Sequence, residues 1–298
     1  MLLDFNAFAP VIWVFRRFPL ISPLRNLFLP WSKMLTYTAF RRRSEAELSQ
    51  RVERRGATDH FDYLEKLLPS GGDAPANPRE MAGLGVAARQ LVFAGYQPVS
   101  ELLYATLFYL SHESAAYAAL MAEIRAAFRR YEDIIPDALA PLPYLNACLE
   151  EGLRLFPGNN SGMPRISPGT TVDGTFVPKG VYIQTSFFTT GRASRYFHEG
   201  ERFRPQRFLP PDHKLYDPMF ADDACGGLFP FSLGPRVTSG KTLAWIESRL
   251  VIAKLLWSLE MVKVTGQDVD LERDLTTYGF WVKPEIRVRF VAVDRAQS

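Results

Sequence analysis

One stretch constrains this chain more than any other. Phe231-Ser232-Leu233-Gly234-Pro235-Arg236-Val237-Thr238-Ser239-Gly240-Lys241 runs directly into a helical pattern over residues 242–259. Glycine and proline at this spacing force a tight loop, and the apolar periodicity behind it sets that loop at a helix N-terminus. A second constraint lies in residues 141–157, where Glu151 and Arg154 are one helical turn apart. They share a helix face and can pair. That pattern closes on Leu155-Phe156-Pro157, and Phe203-Arg204-Pro205-Gln206-Arg207-Phe208 follows further along.

The other periodic segments are mostly helical. Residues 35–55 read as a polar-faced helix, 61–68 as a short amphipathic piece, 79–111 as a long apolar helix and 114–130 as another. Residues 70–78 are a loop by composition. Short β signals fall at 162–167, 171–177 and 181–186, with turns at Asp173-Gly174 and Lys179-Gly180, and residues 262–290 read as strands. The expected fold class is mainly α with small β-sheets (α+β).

The loop and the Glu151–Arg154 helix together resemble the cytochrome P-450 superfamily, the haem-thiolate monooxygenases. That family's haem loop reads Phe-x-x-Gly-x-Arg-x-Cys-x-Gly. Phe231, Gly234, Arg236 and Gly240 fall in place, and Thr238 stands where the pattern has cysteine. A thiolate pushes electron density onto haem iron and favours O–O cleavage. A threonine hydroxyl has neither the acidity nor the softness to do so. Ala94-Gly95-Tyr96-Gln97-Pro98-Val99 resembles the family's central-helix motif (Ala/Gly)-Gly-x-(Asp/Glu)-Thr-(Thr/Ser). There the acid and the threonine relay protons. Here Gln97, Pro98 and Val99 replace the acid and both hydroxyls, and none of the three can do that work.

The resemblance implies a structural role for Glu151, Arg154 and Arg207, the family's Glu–Arg–Arg cluster beneath the haem loop. It implies haem-propionate contacts for Arg165 and Arg236, with anchoring of loops through backbone carbonyls as the alternative. It implies that the turn bearing Tyr278 reaches the substrate pocket. It spans nearly the whole chain but only the C-terminal part of a typical member, so a membrane anchor, the first strands and a haem-covering helix would precede Met1. The expected organisation is one truncated domain over residues 1–298, with a helical part at 1–78 and a core with the altered loop at 79–298.

Composition narrows the function classes. The net charge is only +3 over 298 residues and basic and acidic side chains are interleaved, which argues against nucleic acid. The two cysteines, Cys148 and Cys225, make neither a disulfide framework nor a metal motif. No apolar run is long enough for a transmembrane helix, so the expected location is cytoplasmic or peripheral on the endoplasmic reticulum. The stretch from Pro10 to Trp31, with Trp13, Phe15, Phe18 and Phe28, is a candidate for peripheral membrane contact.

Loss of the thiolate, the proton relay and the haem-covering helix together leads to the expectation that no cofactor is required, that haem is unlikely and that no metal is held. A vacated apolar pocket would then fold a natural-product intermediate for a non-oxidative step such as cyclisation, cycloaddition or isomerisation. Candidate groups for that step are Tyr96, Gln97, Arg165, Arg236, Thr238 and Tyr278, with Asn159, Asn160 and Ser161 nearby in sequence. Two alternatives stay open. One is a non-catalytic partner that binds a homologue, a pathway enzyme or a second copy of itself; the other is a haem monooxygenase with atypical ligation.

Overall fold

The computed structural model describes residues 9–28, 31–54, 62–67, 77–160, 162–277 and 281–293. Among these, helices dominate and the strands pair two by two in short antiparallel ladders, the mainly α architecture with small sheets expected above. The chain divides into two compact units, Met1–Gln97 and Pro98–Ser298, and the division falls inside one long helix.

The first unit holds α1 (Ala9–Arg17), a 3-10 stretch Pro19–Leu27, α2 (Trp31–Glu53), α3 (Tyr63–Leu67) and the start of α4 (Pro78–His112). Pro23 inside Pro19–Leu27 withholds a backbone donor, which suits short-range 3-10 bonding better than a regular α-helix. Polar α2 carries i,i+4 ion pairs, Arg41–Glu45 and Arg43–Glu47. Arg51 then ties α2 to α3, donating to Asp62 at 2.6 Å and to Glu65 at 2.9 Å. Asn77 starts α4: its Oδ1 accepts from the N–H groups of Arg79 and Glu80, both at 3.0 Å, with Pro78 as the first helical residue. The helix runs through Pro98 without ending there.

The second unit is built around α7 (Pro143–Leu155). Ahead of it come the rest of α4, α5 (Ser114–Ala127) and the one-turn α6 (Pro136–Leu139). The N-terminus of α7 is capped from another helix. The two carboxylate oxygens of Glu123, on α5, accept from the N–H groups of Tyr144 and Leu145, each at 2.8 Å. An anion there satisfies orphan donors and favours the helix dipole. Ten of the thirteen residues of α7 are buried, so the helix is enclosed on nearly all sides rather than along one stripe. Gly152 permits its closest neighbour: a Cβ there would lie 2.8 Å from Thr106 Oγ1 on α4.

After α7 come β1 (Arg165–Ile166), β2 (Thr170–Val172), β3 (Thr175–Val177) and β4 (Tyr182–Ile183), paired β1 with β4 and β2 with β3. The β2–β3 turn is Asp173-Gly174, both with positive φ (47° and 76°), the geometry that matches the twist of a two-residue hairpin. Helices α8 (Phe187–Arg192) and α9 (Lys241–Ser258) follow, then β5 (Leu259–Lys263), α10 (Leu271–Asp274), β6 (Thr276–Thr277), β7 (Trp281–Val282) and β8 (Val288–Ala292). The β5–β8 ladder agrees with the strands expected in that region. The expectation of strands throughout 262–290 does not, because Asp270 caps a helical turn, accepting from Glu272 N at 2.8 Å. Helix α9 buries Ser248, Ile252, Ala253, Leu256 and Trp257, and the Trp257 indole donates to Phe128 O at 3.0 Å. No helix among the described residues is long and apolar enough to cross a membrane.

Candidate functional site

Glu151, Arg154 and Arg207 meet as the sequence implied, with side chains wholly buried. Arg154 donates Nε and Nη2 to the two oxygens of Glu151, both at 2.7 Å, the fork-to-fork pairing that suits guanidinium and carboxylate. Arg207 Nε adds a third donor at 3.1 Å and the Arg204 backbone N–H a fourth at 2.7 Å. The remaining guanidinium donors of Arg154 go to the carbonyls of Gly191, Gly200 and Arg202. Arg207 also pairs with Asp223 and donates to His198 O at 3.1 Å. Burial pulls the Arg207 pKa down, and the Glu151 charge opposes it. The cluster thus holds two cations and two anions. Sequence reasoning missed Asp223, and no spacing or motif singles it out.

The loop closes on itself. Thr238 N donates to Phe231 O at 3.1 Å, Gly234–Arg236 makes one 3-10 turn, and Ser232 and Gly234 have φ of +66° and +59°. Phe231 packs 6.0 Å from the ring of Trp245 on α9, which fixes the loop to the helix behind it. Arg236 and Thr238 are both exposed. The Thr238 hydroxyl oxygen accepts weakly from Gly240 N at 3.4 Å. It is a neutral acceptor and not an anionic donor.

A cleft of about 210 Å³ opens beside the loop. Asn159, Arg165, Gln184, Thr185 and Ser232 give it polar groups, and Met163, Ile183, Phe187, Phe229 and Pro230 give it apolar walls. It is smaller than the roughly 300–1,000 Å³ usual for small-molecule sites. Arg165 lines the cleft, and its Nη1 donates to Met163 O at 3.2 Å and Pro164 O at 3.1 Å, so the arginine anchors the backbone here. Neither Arg236 nor Thr238 is among the residues lining this cleft. Tyr96 and Gln97 belong to the first unit, where Tyr96 is 59% exposed and Gln97 is 2% exposed. Ser161 and Tyr278 lie outside the described residues.

Two acids escaped the sequence reading. Glu150 lies beside Glu151, and burial raises its pKa while Lys241 and Arg249 pull it back. Glu101 is fully buried in α4. Its only sequence signal was a charge inside an apolar helical run, four residues after Gln97 and on the same face. Cys225 is held as a thiol: burial pushes its pKa up to about 11, and its Sγ donates to Arg207 O at 3.6 Å. Cys148 is deeper still, and burial raises its pKa well above the ordinary value.

A family model described as cytochrome P-450 matches residues 35–286. The cytochrome P-450 monooxygenase TwmD of Talaromyces wortmannii is 44% identical over 290 residues, covering 97% of this chain and 57% of that protein. The cytochrome P-450 monooxygenase poxC of Penicillium oxalicum is 35% identical over 278 residues, 93% of this chain and 57% of its own. The cytochrome P-450 monooxygenase btcC of Colletotrichum orbiculare is 36% identical over 242 residues, 81% and 45%. The chain spans about half the length of the curated relatives it matches.

These likenesses overturn the expectation that no cofactor is required and that haem is unlikely, because proteins of this kind are haem proteins. The expectation took the loss of the thiolate, the proton relay and the haem-covering helix together as loss of the group. A large apolar macrocycle is also held by burial of its faces, which substitutions at the ligand and relay positions do not decide. The donor set at the loop is a separate matter. Thiolate ligation needs an ionised sulfur, and position 238 offers a hydroxyl while Cys225 is a half-buried thiol whose pKa is pushed up to about 11. The residues present therefore do not fit thiolate-held haem.

Proposed function

The chain belongs to the cytochrome P-450 family, and from that premise we propose that it serves fungal natural-product metabolism by binding an apolar intermediate and carrying it through a non-oxidative step, a cyclisation, cycloaddition or isomerisation. One observation carries the reading. The buried Glu151–Arg154–Arg207 cluster is intact, while the positions that handle oxygen chemistry in the family hold Thr238, Gln97 and Pro98. Haem held by thiolate supplies oxygen activation in this family. What the chain's own residues offer is a small cleft with mixed walls that can hold a substrate in a reactive conformer. The fungal relatives, all named as monooxygenases, support the family's chemistry as the evolutionary starting point. Incubating the purified protein with extracts containing pathway intermediates, with and without NADPH and a reductase, tests the reading. The expected outcome is product formation that ignores the reductant; product only with electrons and dioxygen refutes it.

A partner role is the second reading, favoured by the exposure of Ile166, Phe176 and Tyr182 on the two short ladders β1–β4 and β2–β3. Two-stranded ladders are marginal alone, and apolar strands at an open edge invite another chain. Co-purification of a homologous protein from the producing cell tests it.

A further inference from the structure

We propose that residues 82–96 of α4 are the core of a docking surface for a second polypeptide segment, of the kind the cytochrome P-450 relatives carry outside the region they share with this chain. The proposal stands on family membership and on exposure, and not on the non-oxidative reading above.

From Met81 to Pro98 the helix carries one charged residue, Arg89, whose side chain turns back within its own unit to lie 3.9 Å from Glu45 on α2. Every other residue there is small, apolar, aromatic or amide-bearing. A helix that is apolar all round is normally an enclosed one. Here Val86 is 47% exposed, Leu91 45%, and Val92 and Tyr96 59% each. At 3.6 residues per turn, Val86, Leu91 and Val92 point about 100–140° apart, to three sides of the helix. Gly83 and Gly95 also stand open: a Cβ at either would meet nothing within 4 Å. By contrast α7, in the second unit, has ten of its thirteen residues buried. Leaving so much apolar surface wet costs free energy that a covering chain recovers.

The three-sided exposure selects the occupant. A second copy related by a two-fold axis lays one side of the helix on its twin and leaves the other sides wet. A membrane fits no better. No helix among the described residues is long and apolar enough to cross one, and a helix lying in the interface sets a charged face opposite its apolar face, whereas residues 90–98 hold no charge at all. An enclosing segment with apolar faces is what covers such a helix. The relatives supply its size: this chain spans about half the length of TwmD, poxC and btcC, so a large part of each lies outside the match.

The test co-expresses the full chain with a separate polypeptide carrying the part of TwmD outside the match. Native mass spectrometry reads the stoichiometry, and hydrogen exchange reads residues 82–96. The expected result is a soluble one-to-one complex in which amide exchange over 82–96 slows roughly tenfold or more against the chain alone. Val92→Lys sets a charge into the apolar contact and should weaken the complex roughly tenfold or more. Met219→Lys, at a residue 50% exposed in the second unit, should leave it unchanged. Both positions are exposed, so neither substitution burdens the fold; should Val92→Lys still lower the yield of this chain, Tyr96→Lys takes its place. Failure of the TwmD part to co-purify overturns the proposal, and so does a Val92→Lys complex as tight as the native one. A complex that leaves exchange over 82–96 unchanged overturns it by placing the contact elsewhere. Protection of these residues in a dimer of the chain alone, or only on lipid vesicles, overturns it in favour of a second copy or a membrane.

Discussion

Replacing Glu151 by glutamine isolates what charge contributes to the buried cluster. The substitution keeps the side chain's size and one acceptor oxygen. It leaves Arg154, Arg207 and Asp223 with a net charge of one cation in a site where the Glu151, Arg154 and Arg207 side chains are 0% exposed and Asp223 is 4% exposed. Arg154 loses half of its fork, and the Arg204 backbone N–H and Arg207 Nε lose an anionic acceptor. Removing one partner of a buried ion pair costs about 3–5 kcal/mol. For a unit of this size each kcal/mol shifts the midpoint by roughly 2–4 °C, so the fall expected is about 6–20 °C. Thermal unfolding followed through the tryptophan signal of the second unit, which contains Trp245, Trp257 and Trp281, measures that fall, and urea unfolding measures the free-energy cost. The urea midpoint should drop with the slope unchanged. The double variant Glu151→Gln with Arg154→Met, which removes the excess cation, should recover part of the loss. A single-variant cost under about 1 kcal/mol would mean that water or protein motion screens the site, and the idea of a sealed four-charge cluster would fail.

Four further outcomes follow from the same geometry. Gly191→Ala and Gly200→Ala each set a methyl group against a fixed carbonyl, at 2.6 Å from Arg154 O and 2.3 Å from Arg192 O, and should each cost about 1–3 kcal/mol, whereas Gly226→Ala, with open space around it, should cost little; thermal melts compare the three. Thr238→Cys supplies the missing sulfur, so a carbon monoxide difference spectrum of haemin-loaded protein should acquire the thiolate type only in the variant; the same spectrum in the native chain would contradict the donor-set argument. Arg273 holds the Asp274 pKa down to about 2 from 3.8 by a side-chain hydrogen bond, so this pair stabilises above about pH 3.8 and the contribution vanishes as pH falls through 2; Arg273→Met should move the Asp274 titration up in a carboxyl NMR experiment. Residues 5–44 carry seven basic side chains and no acidic one, and Phe18, Leu20, Leu27 and Phe28 stand exposed in the same stretch. Co-sedimentation with anionic vesicles should therefore exceed that with neutral ones and fall with Leu20→Ser and Leu27→Ser; equal binding to both would refute the charge argument.

Sequence alone determined what local pattern controls. Helix spans follow from apolar periodicity, and α4, α7 and α9 begin and end within a few residues of where their patterns do, because caps, prolines and i,i+4 spacing are short-range physics. The pairing of Glu151 with Arg154 was legible for the same reason, and so was the threonine at 238, since identity at a motif position needs no coordinates. The tertiary structure decided which distant groups share one space. Asp223 completes the charge balance of the cluster, Glu123 caps a helix it does not belong to, and Glu101 lies against Gly158. These relations depend on where chain segments far apart in sequence come to rest. Burial then fixes their energetics, because the same carboxylate is inexpensive in water and consequential in a dry interior.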